Sequence, residues 1–297
     1  MATQGHTLIR TSKVDWQDDP GIPGFMSKQL HTDAETGGEI KMWYLPPGWG
    51  TGFRDEPHRH YHKSVTERAY QLYGDFPHWE FSDINDKEGD CIVFERDIFM
   101  DRPPGSLHGL FPKPRSQTGA MLIYWNNGRG TSILDKDYGS ESVDVPFDGS
   151  ATTNLTEFSP ARIYNSNDMD WQAHPTVPQW KIKPLADELD GALPVCMVHV
   201  PTDWQPTGEA NNLELCSPGS SGDGLRWIFI RTGDLKVSII STESEPREEI
   251  LHLKEGDFLS WSAPNTIGFG GQSASDVGCI ALCTGHALIS QPPLANS

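Results

Sequence analysis

The chain has 297 residues, with 23 Lys and Arg set against 41 Asp and Glu, for a net charge of −18. Such an acidic chain repels phosphate, which excludes a nucleic-acid or anionic-membrane surface as its working face. Hydrophobic residues are only 36%, but aromatics reach 10%, so a core can form, while 29 Gly and 23 Pro favour short strands and many turns.

The opening segment MATQGHTLIRTSKVDW lacks the apolar run of a signal peptide, and no stretch reaches the roughly 18–20 apolar residues that cross a bilayer. The default compartment is therefore the cytoplasm. The cysteines, Cys91, Cys196, Cys216, Cys279 and Cys283, are odd in number and form no CxxC pair, which argues against a disulfide scaffold or a zinc ribbon.

From Asp15 the chain reads DWQDDPGIPGFMSKQLHTD, and 155 residues later it reads DWQAHPTVPQWKIKPLADE. Asp15, Trp16, Gln17, Pro20, Pro23, Lys28, Leu30, Met42, Pro46 and Trp49 recur in register as Asp170, Trp171, Gln172, Pro175, Pro178, Lys183, Leu185, Met197, Pro201 and Trp204. Trp and Met are rare, so this is a duplication, with halves expected at 1–150 and 151–297 and a polar junction near 145–160.

In chain order the first half predicts strands at 39–45, 67–74, 78–83, 91–95 and 120–125. The second predicts them at 194–200, 226–231, 235–240, 257–262 and 277–283. All are short, β-branched or aromatic, and bounded by turn residues. Helix is confined to short candidates such as 185–191. Two halves of short strands point to two sandwiches or barrels.

Chemistry concentrates in residues 50–76. His58, His60 and His62 alternate, so on a strand their imidazoles share one face. Glu67 opens the next strand, and His108 lies in a comparable setting downstream. Three imidazoles and one carboxylate suit a divalent transition metal with positions open to water, O2 or substrate. No phosphate-binding loop, dinucleotide fingerprint or GxSxG elbow is present.

Two stretches resemble the signature of the cupin superfamily. His60, His62, Glu67 and Gly74 match the second part of its first motif, and Gly52, His58 and His60 match the first part. Pro103, Gly105 and His108 hold the spacing of the end of its second motif. The gap from Gly89 to Pro103 is longer than the pattern and implies an insertion or bulge at 95–101.

The resemblance implies an all-β chain of two tandem cupin barrels (double-stranded β-helix, or jelly roll), with one divalent transition metal inside the first. Iron stands first, with manganese, nickel, copper or zinc as alternatives. The implied ligands are His60, His62, Glu67 and His108. The pair His58 and His60 remains open in place of His60 and His62; otherwise His58 is an outer group or a proton relay.

In the second half Arg226 stands where Glu67 stands in the first, no HxH precedes it, and Gly268 is read at the position of His108. This half resembles a degenerate, metal-free cupin, whose work is packing, homodimer formation or covering the first barrel's mouth.

Strand parity places Gln71 and Tyr73 on the face of Glu67, inside the barrel, where either can act on a substrate. Arg54, Arg59 and Arg102 are candidates for a substrate carboxylate, or solvated loop residues. The family likeness implies an enzyme for a small molecule. A dioxygenase acting on a small aromatic or enolisable compound comes first. A non-redox lyase, decarboxylase or isomerase is the alternative, and a small-molecule-binding protein without turnover the third reading.

Overall fold

A computed structural model describes residues 5–19, 22, 24–49, 58–83, 85–86, 88–110, 115–128, 132–134, 158–174, 177, 179–187, 192–205, 225–241, 247–262, 265–268 and 275–284. These residues are all-β; the two 3-10 turns among them, Thr11–Lys13 and Ser166–Asp168, span three residues each. No helix among them is long and apolar enough to cross a membrane.

The chain divides into two compact units, residues 15–168 and residues 1–14 with 169–297. The first strand, β1 (His6–Arg10), belongs to the second of these. The unit of residues 15–168 holds β2 (Gln17–Asp18), β3 (Met26–Thr32), β4 (Glu39–Leu45), β5 (His58–His62), β6 (Glu67–Gly74), β7 (Phe76–Glu80), β8 (Asp90–Phe94), β9 (Ile98–Arg102), β10 (His108–Leu110), β11 (Ala120–Asn126), β12 (Ser132–Leu134) and β13 (Arg162–Asn165). They form a seven-stranded sheet, β13-β9-β6-β11-β4-β3-β2, and a five-stranded sheet, β12-β5-β10-β7-β8.

The other unit adds β14 (Gln172–Ala173), β15 (Lys181–Ala186), β16 (Val195–Val200), β17 (Arg226–Ser241), β18 (Arg247–Lys254), β19 (Asp257–Trp261), β20 (Thr266–Gly268) and β21 (Cys279–Thr284) to β1. Its path runs β1-β19-β17-β21-β16-β15-β14, with β18 and β20 also on β17. The two predicted strands at 226–231 and 235–240 are one continuous strand of 16 residues.

The units exchange their opening strands. β1 pairs antiparallel with β19, and β13 pairs with β9. The 3-10 turns that follow anchor the exchange. Thr11 donates its hydroxyl to the Gly256 carbonyl at 2.5 Å, and the Ser166 amide donates to the Asp97 carbonyl at 2.9 Å. The boundary expected at 150/151 lies outside the described residues. What differs from the expected halves is that each unit takes its first strand from the opposite end of the repeat.

The duplicated geometry is clearest at the corner where the chain leaves one sheet for the other. Gly74 and Gly233 both have positive φ, at 76° and 81°. A Cβ on either would lie 1.8 Å from a carbonyl oxygen, that of Gly119 or Gly278, so only glycine fits. Their spacing, 233 − 74 = 159, sets the equivalence between the units around the site. By it Glu67 matches Arg226, Glu80 matches Ile239, and His108 matches Ile267. The sequence reading of Gly268 for His108 is therefore one residue out: Ile267 pairs with Ile239 as His108 pairs with Glu80.

The expected helix at 185–191 is corrected at its start. Leu185 and Ala186 end β15, where Ala186 pairs with Val195, so sheet hydrogen bonding overrides the local helical pattern; 188–191 lie outside the described residues. The core of the unit of residues 15–168 gathers Phe25, Leu45, Ala69, Phe76, Met100 and Leu122 among others. Its counterpart gathers Trp180, Ile228, Ile230, Val237, Leu253 and Trp261. Cys196, Cys279 and Cys283 are buried, Cys91 is exposed, and Cys216 lies outside the described residues.

Candidate metal centre

β5 lies between β12 and β10, and β10 lies between β5 and β7. This register makes His108 the direct cross-strand partner of His60 on one side and of Glu80 on the other. Alternation along β5 puts His60 and His62 on one face. The ligand atoms of His60, His62 and His108 all come within 4.8 Å of one another. All three residues are buried. The side chain of His58 lies outside the described ones.

Glu67, at the start of β6, reaches the same place from the other sheet. Its Oε1 lies 3.2 Å from His62 Nε2, and its Oε2 lies 3.2 Å from His108 Nε2. His108 donates from Nδ1 to the Ser106 carbonyl at 3.0 Å, which leaves the Nε2 lone pair turned toward the carboxylate. Glu67 Oε2 and His62 Nδ1 are buried without a hydrogen-bond partner. Imidazole and carboxylate acceptors converging in a buried site suit a cation, and this donor set suits a divalent transition metal.

Around these four sit Tyr124, Glu80 and His78, which the sequence does not single out, and Arg102, which it does. Tyr124, on β11, donates its hydroxyl to Glu67 Oε1 at 2.6 Å, and the Asn126 amide donates to that hydroxyl at 3.3 Å. Arg102, on β9, pairs with Glu80 through Nη2 and through Nε at 3.2 Å. Its Nη2 also lies 3.0 Å from His78 Nδ1, and its Nη1 lies 3.7 Å from Glu67 Oε2.

The electrostatics follow from burial and charge. Burial pushes the Glu67 carboxyl up, but His62 and His108 beside it outweigh that and hold it well below the usual carboxylate range. Burial, with Arg102 nearby, brings His108 down to about 4. Against burial, Arg102 holds Glu80 at about 2. Burial and the Glu67 charge drive Tyr124 well above its ordinary value, so its proton stays on.

Two expectations change. Tyr73 does not line the barrel: it is 55% exposed. A β-bulge leaves Leu72 without a partner on β11, so Tyr73 pairs with Met121 and Gln71 with Leu122, and parity reverses between them. The same bulge recurs at Arg231 in the other unit. Gln71 is buried, and its amide donates to the Tyr73 carbonyl at 2.7 Å.

Arg102 is likewise not a loop residue at the mouth. It is 5% exposed and engaged by Glu80. Arg54 and the side chain of Arg59 lie outside the described residues.

The apparent insertion at 95–101 is a tight turn, closed by the Ile98 amide on the Glu95 carbonyl at 3.1 Å, that carries the chain from β8 in the five-stranded sheet to β9 in the seven-stranded one. Asp97 has φ 72° and is separated from Pro103 by five residues, so Asp97, not Gly89, occupies the glycine position of the second motif. Gly256, with φ 80°, matches it in the other unit. There Ile239 and Ile267 replace Glu80 and His108, and Trp261 and Cys283 match Arg102 and Tyr124. Asp234, His252 and Asp276 also cluster, but Asp234 already accepts from His252, from the Ser275 hydroxyl and from two backbone amides, while Asp276 holds Lys236.

No family model matches the chain, and no curated protein matches its sequence. Solved structures do. A dioxygenase candidate from Nostoc punctiforme aligns at TM-score 0.60 and 12% identity over 99% of this chain and 88% of its own. HEPD from Streptomyces albus, solved with 2-hydroxyethylphosphonate and Fe(II), aligns at 0.57 and 11% over 98% and 80%. Oxalate decarboxylase from Lactobacillus farciminis, in a formate complex, aligns at 0.54 and 12% over 94% and 86%. These likenesses establish the fold: two tandem jelly-roll barrels of the cupin type.

Proposed function

We propose that this chain of cupin fold is a metal-dependent enzyme acting on a small molecule, with His60, His62, His108 and Glu67 holding one divalent transition metal per chain, iron first. The carrying observation is that three buried imidazoles converge, with ligand atoms within 4.8 Å, beside a carboxylate held ionised. When bound, the metal supplies a Lewis-acidic and redox-capable centre for an enolate or phenolate together with O2.

The chain's own residues do the rest. Tyr124 keeps Glu67 Oε1 occupied and carries a proton on its hydroxyl. The Glu80 carboxylate fixes the Arg102 guanidinium beside Glu67, where it can orient an anionic substrate. Tyr124 stacks on Trp43 with ring centroids 4.0 Å apart, which holds the phenol in place.

The reaction proposed first is dioxygenation of a small aromatic or enolisable compound. A non-redox decarboxylase or lyase is the second reading, favoured by Arg102, whose guanidinium is matched to a carboxylate. Metal analysis of protein purified without added metal, followed by O2-uptake assays with enolisable acids and catechols, tests the first reading. Iron or copper with substrate-dependent O2 uptake supports it. Turnover that continues without O2 supports the second, and a metal-free protein overturns both.

A further inference from the structure

In the second unit the core of the barrel holds a charge that no carboxylate among the described residues balances. Arg226 opens β17 on the face it shares with Ile228 and Ile230, both members of the apolar core. It is 5% exposed, its Nε has no hydrogen-bond partner, and among the described residues no carboxylate pairs with it. Its cross-strand partner is Trp261, 1% exposed, whose indole Nε1 is also without a hydrogen-bond partner. Cross-strand partners carry their side chains on the same face of the sheet.

A guanidinium stays charged at any pH the fold survives, and a buried unpaired charge is strongly disfavoured. Two orphaned donors side by side therefore point to an acceptor that the chain itself does not provide among its described residues. We propose that the second barrel binds a small carboxylate, with the Arg226 guanidinium on its oxygens and the Trp261 indole N–H as a further donor.

The surroundings select the class. The same core contains Ile239, Ile267 and Cys283, where the first barrel carries Glu80, His108 and Tyr124. A singly charged carboxylate with an apolar tail matches one guanidinium, one indole and an aliphatic wall. A phosphate, with more charge and more acceptor oxygens, leaves most of its acceptors unmet there. The duplication has thus turned a cation site into its electrostatic opposite by exchanging Glu67 for Arg226.

The test uses full-length protein stripped of metal with EDTA, so that the first barrel cannot ligate the probe. Propionate, benzoate and phenylacetate are titrated against it, with inorganic phosphate and sulfate as controls, following tryptophan fluorescence and thermal melting. Saturable binding of a carboxylate that also raises Tm is expected, with affinity lower by at least tenfold in Arg226→Gln and by less in Trp261→Phe.

The metal content of purified Arg226→Gln should equal that of wild type. Because no described carboxylate pairs with this charge in the ligand-free protein, Arg226→Met should melt no lower than wild type without a probe. Binding unchanged in Arg226→Gln, phosphate bound in preference to carboxylates, no binding at all, or an Arg226→Met that melts well below wild type would each overturn the proposal.

Discussion

The Tyr124 hydroxyl sits 2.6 Å from Glu67 Oε1, and the same carboxylate approaches His62 and His108 at 3.2 Å each. A phenol from the seven-stranded sheet thereby sets the orientation of a carboxylate aimed at imidazoles of the five-stranded one. Tyr124→Phe removes that donor and keeps the ring that stacks on Trp43. Metal affinity should fall by about 10–100-fold, measured by chelator competition, with Tm of the metal-free protein nearly unchanged. Wild-type affinity in the variant would show that Glu67 needs no such support.

His60 belongs to both histidine pairings the sequence allows, so His60→Ala should be the most damaging ligand substitution. Purified His60→Ala is expected to carry little metal while its circular dichroism stays that of a β protein, because the apolar core does not depend on His60. His62→Ala should behave alike, whereas His58→Ala should lose at most the outer-shell factor of about 10–100. Full metal content in His60→Ala would refute the assignment.

Acid should weaken the metal-free protein in a defined window. His108 has its pKa lowered to about 4 in the fold, against 6.5 for a free imidazole. Between those values the unfolded chain takes up a proton that the folded one refuses. The stability His108 contributes is therefore complete above pH 6.5 and is lost as pH falls toward about 4, to the extent of about 3 kcal/mol. His174, also lowered to about 4 by burial, adds to the same slope. Melts in EDTA at stepped pH should show the loss, and His108→Asn should flatten it in part. An equal slope in wild type and variant would mean that His108 is not buried as a neutral ring.

Asp97 combines a left-handed backbone with a buried acceptor. Its φ is 72°, its Oδ1 accepts the Tyr70 hydroxyl at 3.0 Å, and its Oδ2 accepts the Asn167 amide at 2.9 Å. Asp97→Asn keeps the conformational tolerance and an acceptor and should cost under about 1 kcal/mol. Asp97→Ala loses both and should cost about 2–3 kcal/mol in urea unfolding. Equal losses in the two variants would contradict this account.

The duplication, the β class and the histidine cluster were legible because each rests on local spacing: an alternation along one strand, a motif, a repeat of rare residues. Tyr124, His78 and Glu80 were not, because their place depends on which strand lies beside which and in what register; Arg102 was named as a candidate, but not its buried pairing with Glu80. Tyr73 shows the same limit from the other side. Alternation placed it indoors, and one bulged residue, Leu72, turned it out. The second motif's glycine position was missed because an aspartate fills it, although counting six residues back from Pro103 leads to Asp97.

The exchange of opening strands also bears on how the chain is made. Arg10 must wait for Asp257, 247 residues later, before its ion pair can form. At about 5–20 residues per second, ribosomal synthesis leaves β1 without its neighbour for about 12–50 s. The unit of residues 15–168, by contrast, has every strand it needs once β13 has emerged. Its folding can finish while the rest of the chain is still being translated, with the N-terminal segment left unpaired as a tether until β19 arrives.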